Sequence, residues 1–172
     1  MANSNTYGWQ QLYNESVSAV TMTNSVDIGS RRHEAGVDYT YIRNDSSEQL
    51  IPTRGCKLAS ASTGYTVDVA AAAPATFSAS VLAGVCVHAT MTASAYGWIA
   101  TRGFVSVEAD GKTSIGAGEK IWLSLSGTFA RYTAPTDVSI FAQGLSVCGV
   151  ASTAMVTTST GTFTAYIKSP LF

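Results

Sequence analysis

From Val37 onward the apolar residues of this chain recur at every second position, and no helical period persists for three turns. A period of two puts alternate side chains on opposite faces of an extended backbone, so the chain is committed to strands with one face inward. Val37, Tyr39 and Tyr41 alternate with Asp38 and Thr40, Tyr65, Val67 and Val69 with Thr66 and Asp68, and Val85, Val87 and Ala89 with Cys86 and His88. Each reads as a half-buried antiparallel strand.

The longest such run spans residues 98–109 and ends at Asp110-Gly111, with an apolar run at residues 121–125 as its return strand. Asp-Gly favours a two-residue hairpin turn, but Gly116-Ala117-Gly118 delays the return and predicts a longer or bulged loop before Glu119. Further strands are expected at 138–142, 145–151 and 162–168, the last with Phe163, Ala165 and Ile167 on one face. The Ala70 to Ala73 stretch is stopped by Pro74 and reads as a connecting loop. About eight strands at roughly ten-residue spacing, joined by Gly, Pro, Asn, Asp and Ser, predict an all-β fold, an antiparallel β-sandwich or β-barrel.

At 172 residues the chain has the length of one domain and can bury roughly two thirds of its unfolded surface in a single core. Neither an internal repeat nor a linker divides it. Residues 1–35 differ from the rest, carrying Tyr7, Trp9 and Tyr13 among Asn, Gln and Ser with no regular period. They are read as an extended amino-terminal arm ahead of a single β-domain over 36–172. Such an arm either orders on a partner, with Trp and Tyr as low-entropy contacts, or packs along its own domain.

Charged residues make up 12% of the chain, about half the usual share, and the net charge is −1. Apart from Arg31-Arg32 the basic residues are scattered, so no stripe suits a polyanion and nucleic acid is not an expected partner. No apolar run approaches the ~20 residues that span a bilayer, and the first residues lack the pattern of a secretory signal, so the expectation is a protein made in a cytoplasm with no membrane partner. A poorly charged, hydroxyl-rich surface also suits permanent contacts between subunits. The sequons at Asn14 and Asn44 would then meet no glycosylation machinery. Cys56, Cys86 and Cys148 are an odd number without short spacing, two of them inside apolar strands, and are expected as free thiols.

Motifs for chemistry fail on inspection. Gly144-Leu145-Ser146-Val147-Cys148 lacks the final glycine of a nucleophile elbow and is flanked by strand. Gly111-Lys112-Thr113 lacks the earlier glycine of a phosphate-binding loop, which would fall at Ser106 in mid-strand. His33 and His88 have no neighbours at a metal-ligand spacing, and Asp38, Asp68, Glu108 and Asp110 lie on or beside outward faces. The expectation is a protein that is not an enzyme, with no catalytic residue, metal or cofactor.

One resemblance runs over the chain in pieces. Asp27-Ile28-Gly29-Ser30-Arg31-Arg32, then Gly36 through Asn44, then Leu50 through Leu58 resemble the opening of tailed-phage capsid decoration or cement proteins. Ala95 through Gly103 and Gly116 through Leu123 are similar to the central part of the same group. The loop 45–49 departs from that pattern in lacking a glycine, and residues 70–83 look like an insertion. The resemblance implies a homotrimeric β-domain on the virion's capsid surface that bridges subunits of the major capsid protein. The expected partner contacts are Trp9 and Tyr13 as anchors and Arg31 and Arg32 as positive charge. The alternative is a receptor- or glycan-binding module of a phage tail fibre, in which exposed Trp and Tyr stack on sugar rings; a small hydrolase acting through Ser146 is a third possibility without a supporting motif.

Overall fold

The computed structural model describes residues 15–59, 66–69, 82–124, 127–132, 147–155 and 160–169. Within them the chain is all-β, with eleven strands: β1 (Val20–Thr21), β2 (Arg31–Glu34), β3 (Val37–Asn44), β4 (Gly55–Leu58), β5 (Thr66–Val69), β6 (Leu82–Val85), β7 (Tyr96–Glu108), β8 (Lys120–Leu123), β9 (Phe129–Arg131), β10 (Val147–Ala151) and β11 (Thr162–Lys168). They form one sheet in the order β2-β3-β5-β4-β6-β7-β11-β10-β8-β9, with β1 on β7 and a further pairing between β3 and β7. As a whole the sheet is not closed into a barrel.

That further pairing shapes the fold. From β3 the ladder passes to β5, β4, β6 and β7 and returns to β3, a ring of five pairings of which β3–β5 is parallel. Inside lies a small core to which each strand gives one residue, namely Ile42, Cys56, Val67, Ala83 and Ile99. A larger core lies outside the ring, under the second half of β7, β11, β10 and β8, and holds Tyr41, Trp98, Val107, Leu123, Phe129 and Ile167.

Two cores explain a departure from the simple alternation. Thr40, expected on a polar outward face of β3, is fully buried, and Ile42 on that same face sits in the small core. β3 and the first half of β7 are therefore covered on both faces. A second departure is β6, which ends at Val85 rather than running to Ala89. The Cys86 backbone turns to the 53–54 loop instead, donating its N–H to Arg54 O and accepting from Thr53 N.

The expected return of residues 121–125 onto the long strand does not occur either. β8 pairs with β10 and β9, while the second half of β7 takes β11 across seven residue pairs. Alternation identifies strands but not partners, and Asp110-Gly111 opens a loop rather than a hairpin. The alternation of β11 is as expected, with Phe163, Ala165 and Ile167 buried. The expected strand at 138–142, the loop at Pro74 and the position Ser146 lie outside the described residues.

From Glu15 onward, the described part of the 1–35 segment runs along the domain. Val20 and Thr21 pair with Gly97 and Tyr96, and β2 joins β3 through Ala35 and Gly36, which both take positive φ (51° and 80°) as a two-residue hairpin loop requires.

β7 serves both cores because its two faces are both covered before Gly103, with Trp98 and Ala100 in the large core and Ile99 in the small one. Gly103 has φ 121°, a region that L side chains rarely adopt, and an added Cβ would stand 2.7 Å from Gly36 O and 3.0 Å from the Val37 Cα. Nearby the β3–β7 register shifts between Asp38 and Tyr39, and the buried Thr101 hydroxyl donates to Asp38 O at 3.1 Å. Gly36 also has positive φ but meets nothing within 4 Å. Gly36→Ala should therefore cost about 1 kcal/mol through the backbone alone, whereas Gly103→Ala adds a backbone collision and should cost about 3 kcal/mol or more. Urea midpoints of the two variants measure this, and equal losses would show that the close approach of Gly103 to Gly36 and Val37 accommodates a side chain.

Candidate functional site

Arg31 and Arg32 open β2 on opposite faces of its strand, and their surroundings differ. Arg31 is exposed. Arg32 is half-buried, donates through Nη1 to Glu15 O at 2.6 Å and pairs through Nη2 with Glu34 Oε2 at 2.7 Å. Beside it His33 Nδ1 lies 2.6 Å from Asp38 Oδ1. Of the two arginines, Arg31 thus offers charge outward, and Arg32 ties residues 15–34 together. Trp9 and Tyr13 lie outside the described residues.

The small polar groups around Tyr41 show the same inward use. Its hydroxyl meets Ser25 Oγ at 3.0 Å and Thr21 Oγ1 at 3.3 Å, and Ser25 donates to the Glu15 carboxylate. Asn44 is fully buried, its Nδ2 donating to the carbonyls of Glu48, Met91 and Thr92 while Oδ1 accepts from Ser46 N, so its sequon is closed to modification in the folded chain. Trp98 is 2% exposed and packs edge-on to Tyr41, which removes it from any sugar-stacking role.

A different surface stands out on the sheet formed by the second half of β7 with β11, β10 and β8. One cross-strand row on its outer face reads Phe104, Tyr166, Val150 and Lys120, each directly paired with the next. Phe104 is 60% and Val150 40% exposed, well above any other apolar side chain of this face. Phe104 and Tyr166 meet edge-to-face at 5.1 Å, and Arg102 Nε donates to the Tyr166 hydroxyl at 3.0 Å. Lys168 pairs with Arg102 on the next row, and Ser106 with Thr164 on the other side. The surface is an apolar stripe with cations along one flank and hydroxyls along the other.

The carboxylates around it are engaged. Glu108 accepts two hydrogen bonds from Arg54, at 2.7 and 3.0 Å, a bidentate pair that holds Arg54 above its ordinary pKa, and Glu119 pairs with Arg131 at 3.4 Å. Elsewhere a shallow hollow of about 370 Å³ is lined by residues including Glu48, Leu50, Ile51 and Arg54. Among the described residues no group of three or more His, Cys, Asp or Glu is placed to hold a metal ion.

Sequence reasoning missed the stripe. The alternation around Val105 and Val107 points Phe104 outward, and this signal was present, but the exposure of Val150 depends on the β10–β8 register shift between Val147 and Gly149.

No family model matches this sequence, and no curated protein matches it. Among solved structures the chain is similar to the head fiber gp8.5 N base of bacteriophage phi29, at 14% identity and a TM-score of 0.49, over 76% of this chain and 94% of that one.

The three cysteines are free and buried. Burial pushes Cys86 and Cys148 up from 9.0 to about 12. Between these values the unfolded chain loses thiol protons that the folded chain keeps, so stability is intact below about pH 9 and falls as pH rises towards about 12. The slope should reach ~1.4 kcal/mol per pH unit for each thiol. Native protein at pH 8 should be inert to a thiol-reactive disulfide reagent and release one equivalent per cysteine after denaturation; rapid native labelling would show that the strands around them open.

Proposed function

We propose that this protein is a virion structural protein that binds the outside of an assembled phage capsid and cements it. The observation that carries this reading is the exposed Phe104–Tyr166–Val150 stripe, fixed on fully paired strands where it needs no ordering to make contact. The resemblance of residues 27–32, 36–44, 50–58, 95–103 and 116–123 to decoration proteins supports it, as does the sparse charge. The reading assigns no catalytic step and no cofactor. The amino-terminal segment with Trp9 and Tyr13, together with Arg31, is a second contact in the same reading.

The mechanism is mass action. A subunit that binds the assembled shell and not its separated parts stabilises each site by RT ln(1 + [L]/Kd), about 2.7 kcal/mol at a hundredfold excess over Kd, and a shell offers many sites. Self-association fits the end of the sheet at β2, which stands last in its order and has an edge to lend to a neighbour, whereas β9 at the other end is bridged at Phe129 by Ala109. The number three rests on the resemblance alone. The glycan-binding alternative is weakened by the burial of Trp98.

Purified protein added to heads that lack it should sediment with them at micromolar concentration and raise the temperature at which the shells melt. Absence of binding, or a glycan array with strong selective hits, would replace this reading with the alternative. Sedimentation equilibrium at tens of micromolar should return a trimer, and a monomer there would remove the oligomer from the proposal.

A further inference from the structure

We propose that the outer face of the β7–β11–β10–β8 sheet is a docking surface for an acidic protein surface, its apolar centre seated on Phe104, Tyr166 and Val150 and its carboxylates meeting Arg102, Lys120 and Lys168. This rests on the capsid-binding reading and names the face and the chemistry of the partner.

Geometry makes the face ready for contact. Phe104 and Tyr166 brace each other, Arg102 holds the Tyr166 hydroxyl, and the backbone beneath is hydrogen-bonded from β7 through to β8. Rigid aromatic side chains lose little freedom on binding, and such anchors carry most of the affinity of an interface. Trp122 and Val147, paired with each other and half-buried, extend the apolar area.

Charge decides the occupant. Arg102, Lys120 and Lys168 are exposed, and among the described residues no carboxylate forms an ion pair with any of them. Among the neighbouring acids Glu108 and Glu119 are taken by Arg54 and Arg131, and Asp38, which stands opposite Arg102 in the ladder and, after the Tyr166 hydroxyl, helps to hold its guanidinium charged, is bound to His33. A second copy placed face to face would offer these cations only its own cations or the hydroxyls of Ser106 and Thr164, and so would leave their charge unmatched. A complementary surface must bring carboxylates to the flank and aliphatic or aromatic groups to the centre. An anionic lipid surface shares only the charge: the stripe lies mid-sheet, between Arg102 and the hydroxyls of Ser106 and Thr164, rather than at a protruding tip.

The test measures binding of the full chain to heads that lack it, by co-sedimentation over a salt series. Phe104→Ser, at an exposed site, should keep the wild-type melting temperature and lose about tenfold or more in affinity. The double reversal Lys120→Glu with Lys168→Glu should lose a similar factor at low salt, and this loss should shrink as salt is raised; Lys112→Glu, in the loop beyond β7, should change little. Wild-type protein that fails to bind heads overturns the capsid reading and this proposal together. Wild-type protein that binds while both face variants bind equally well overturns this proposal alone. So does a Phe104→Ser variant that dissociates the oligomer, or Phe104-dependent flotation with anionic phosphatidylserine vesicles.

Discussion

The double pairing of β7 is the constraint on which the rest of this structure depends. Its first half pairs with β3 and closes the ring, its second half pairs with β11, and at the changeover Gly103 lets the backbone lie against Gly36 O and the Val37 Cα. Trp98 and Ile99, on opposite faces of the first half, show the outcome at adjacent positions: the first packs in the large core and the second in the small one.

The ring also decides which polar groups are satisfied. Strands buried on both faces leave no solvent for side-chain amides or hydroxyls: the Thr40 hydroxyl on β3 has no hydrogen-bond partner among the described residues, while Asn44 and Ser169 are matched internally. Asn44 bonds to the loops at Ser46, Glu48, Met91 and Thr92, which cross one end of the small core. Ser169 bonds to β6, donating to Leu82 O at 2.8 Å. The contacts to Met91, Thr92 and Leu82 join segments far apart in the chain, so fixing any one of them narrows the choices left to the others.

What was legible in the sequence was local. Alternation alone placed β3, β7 and β11 and identified the inward face of the last, because a half-buried strand writes its pattern into consecutive residues. The ring was not legible: nothing near Arg43 or Thr66 announces that they lie side by side in a parallel pair, and the burial of Thr40 follows only from that closure. The Ala35-Gly36 loop escaped notice because Ala occupies a position where Asn or Asp would have signalled the turn. Of the expected contacts, Arg31 is exposed and Arg32 is occupied, while the stripe emerged only when β10, β11 and β7 were seen in register.

The register that assembles the stripe has a consequence in time. Phe104 lies on β7, Val150 on β10 and Tyr166 on β11, so the surface does not exist until these three strands have paired. Until β11 slides between β7 and β10, Phe104 has no aromatic neighbour and Arg102 no hydroxyl to hold. The row is therefore a property of the completed sheet, and a chain that has paired fewer than all three strands does not display it.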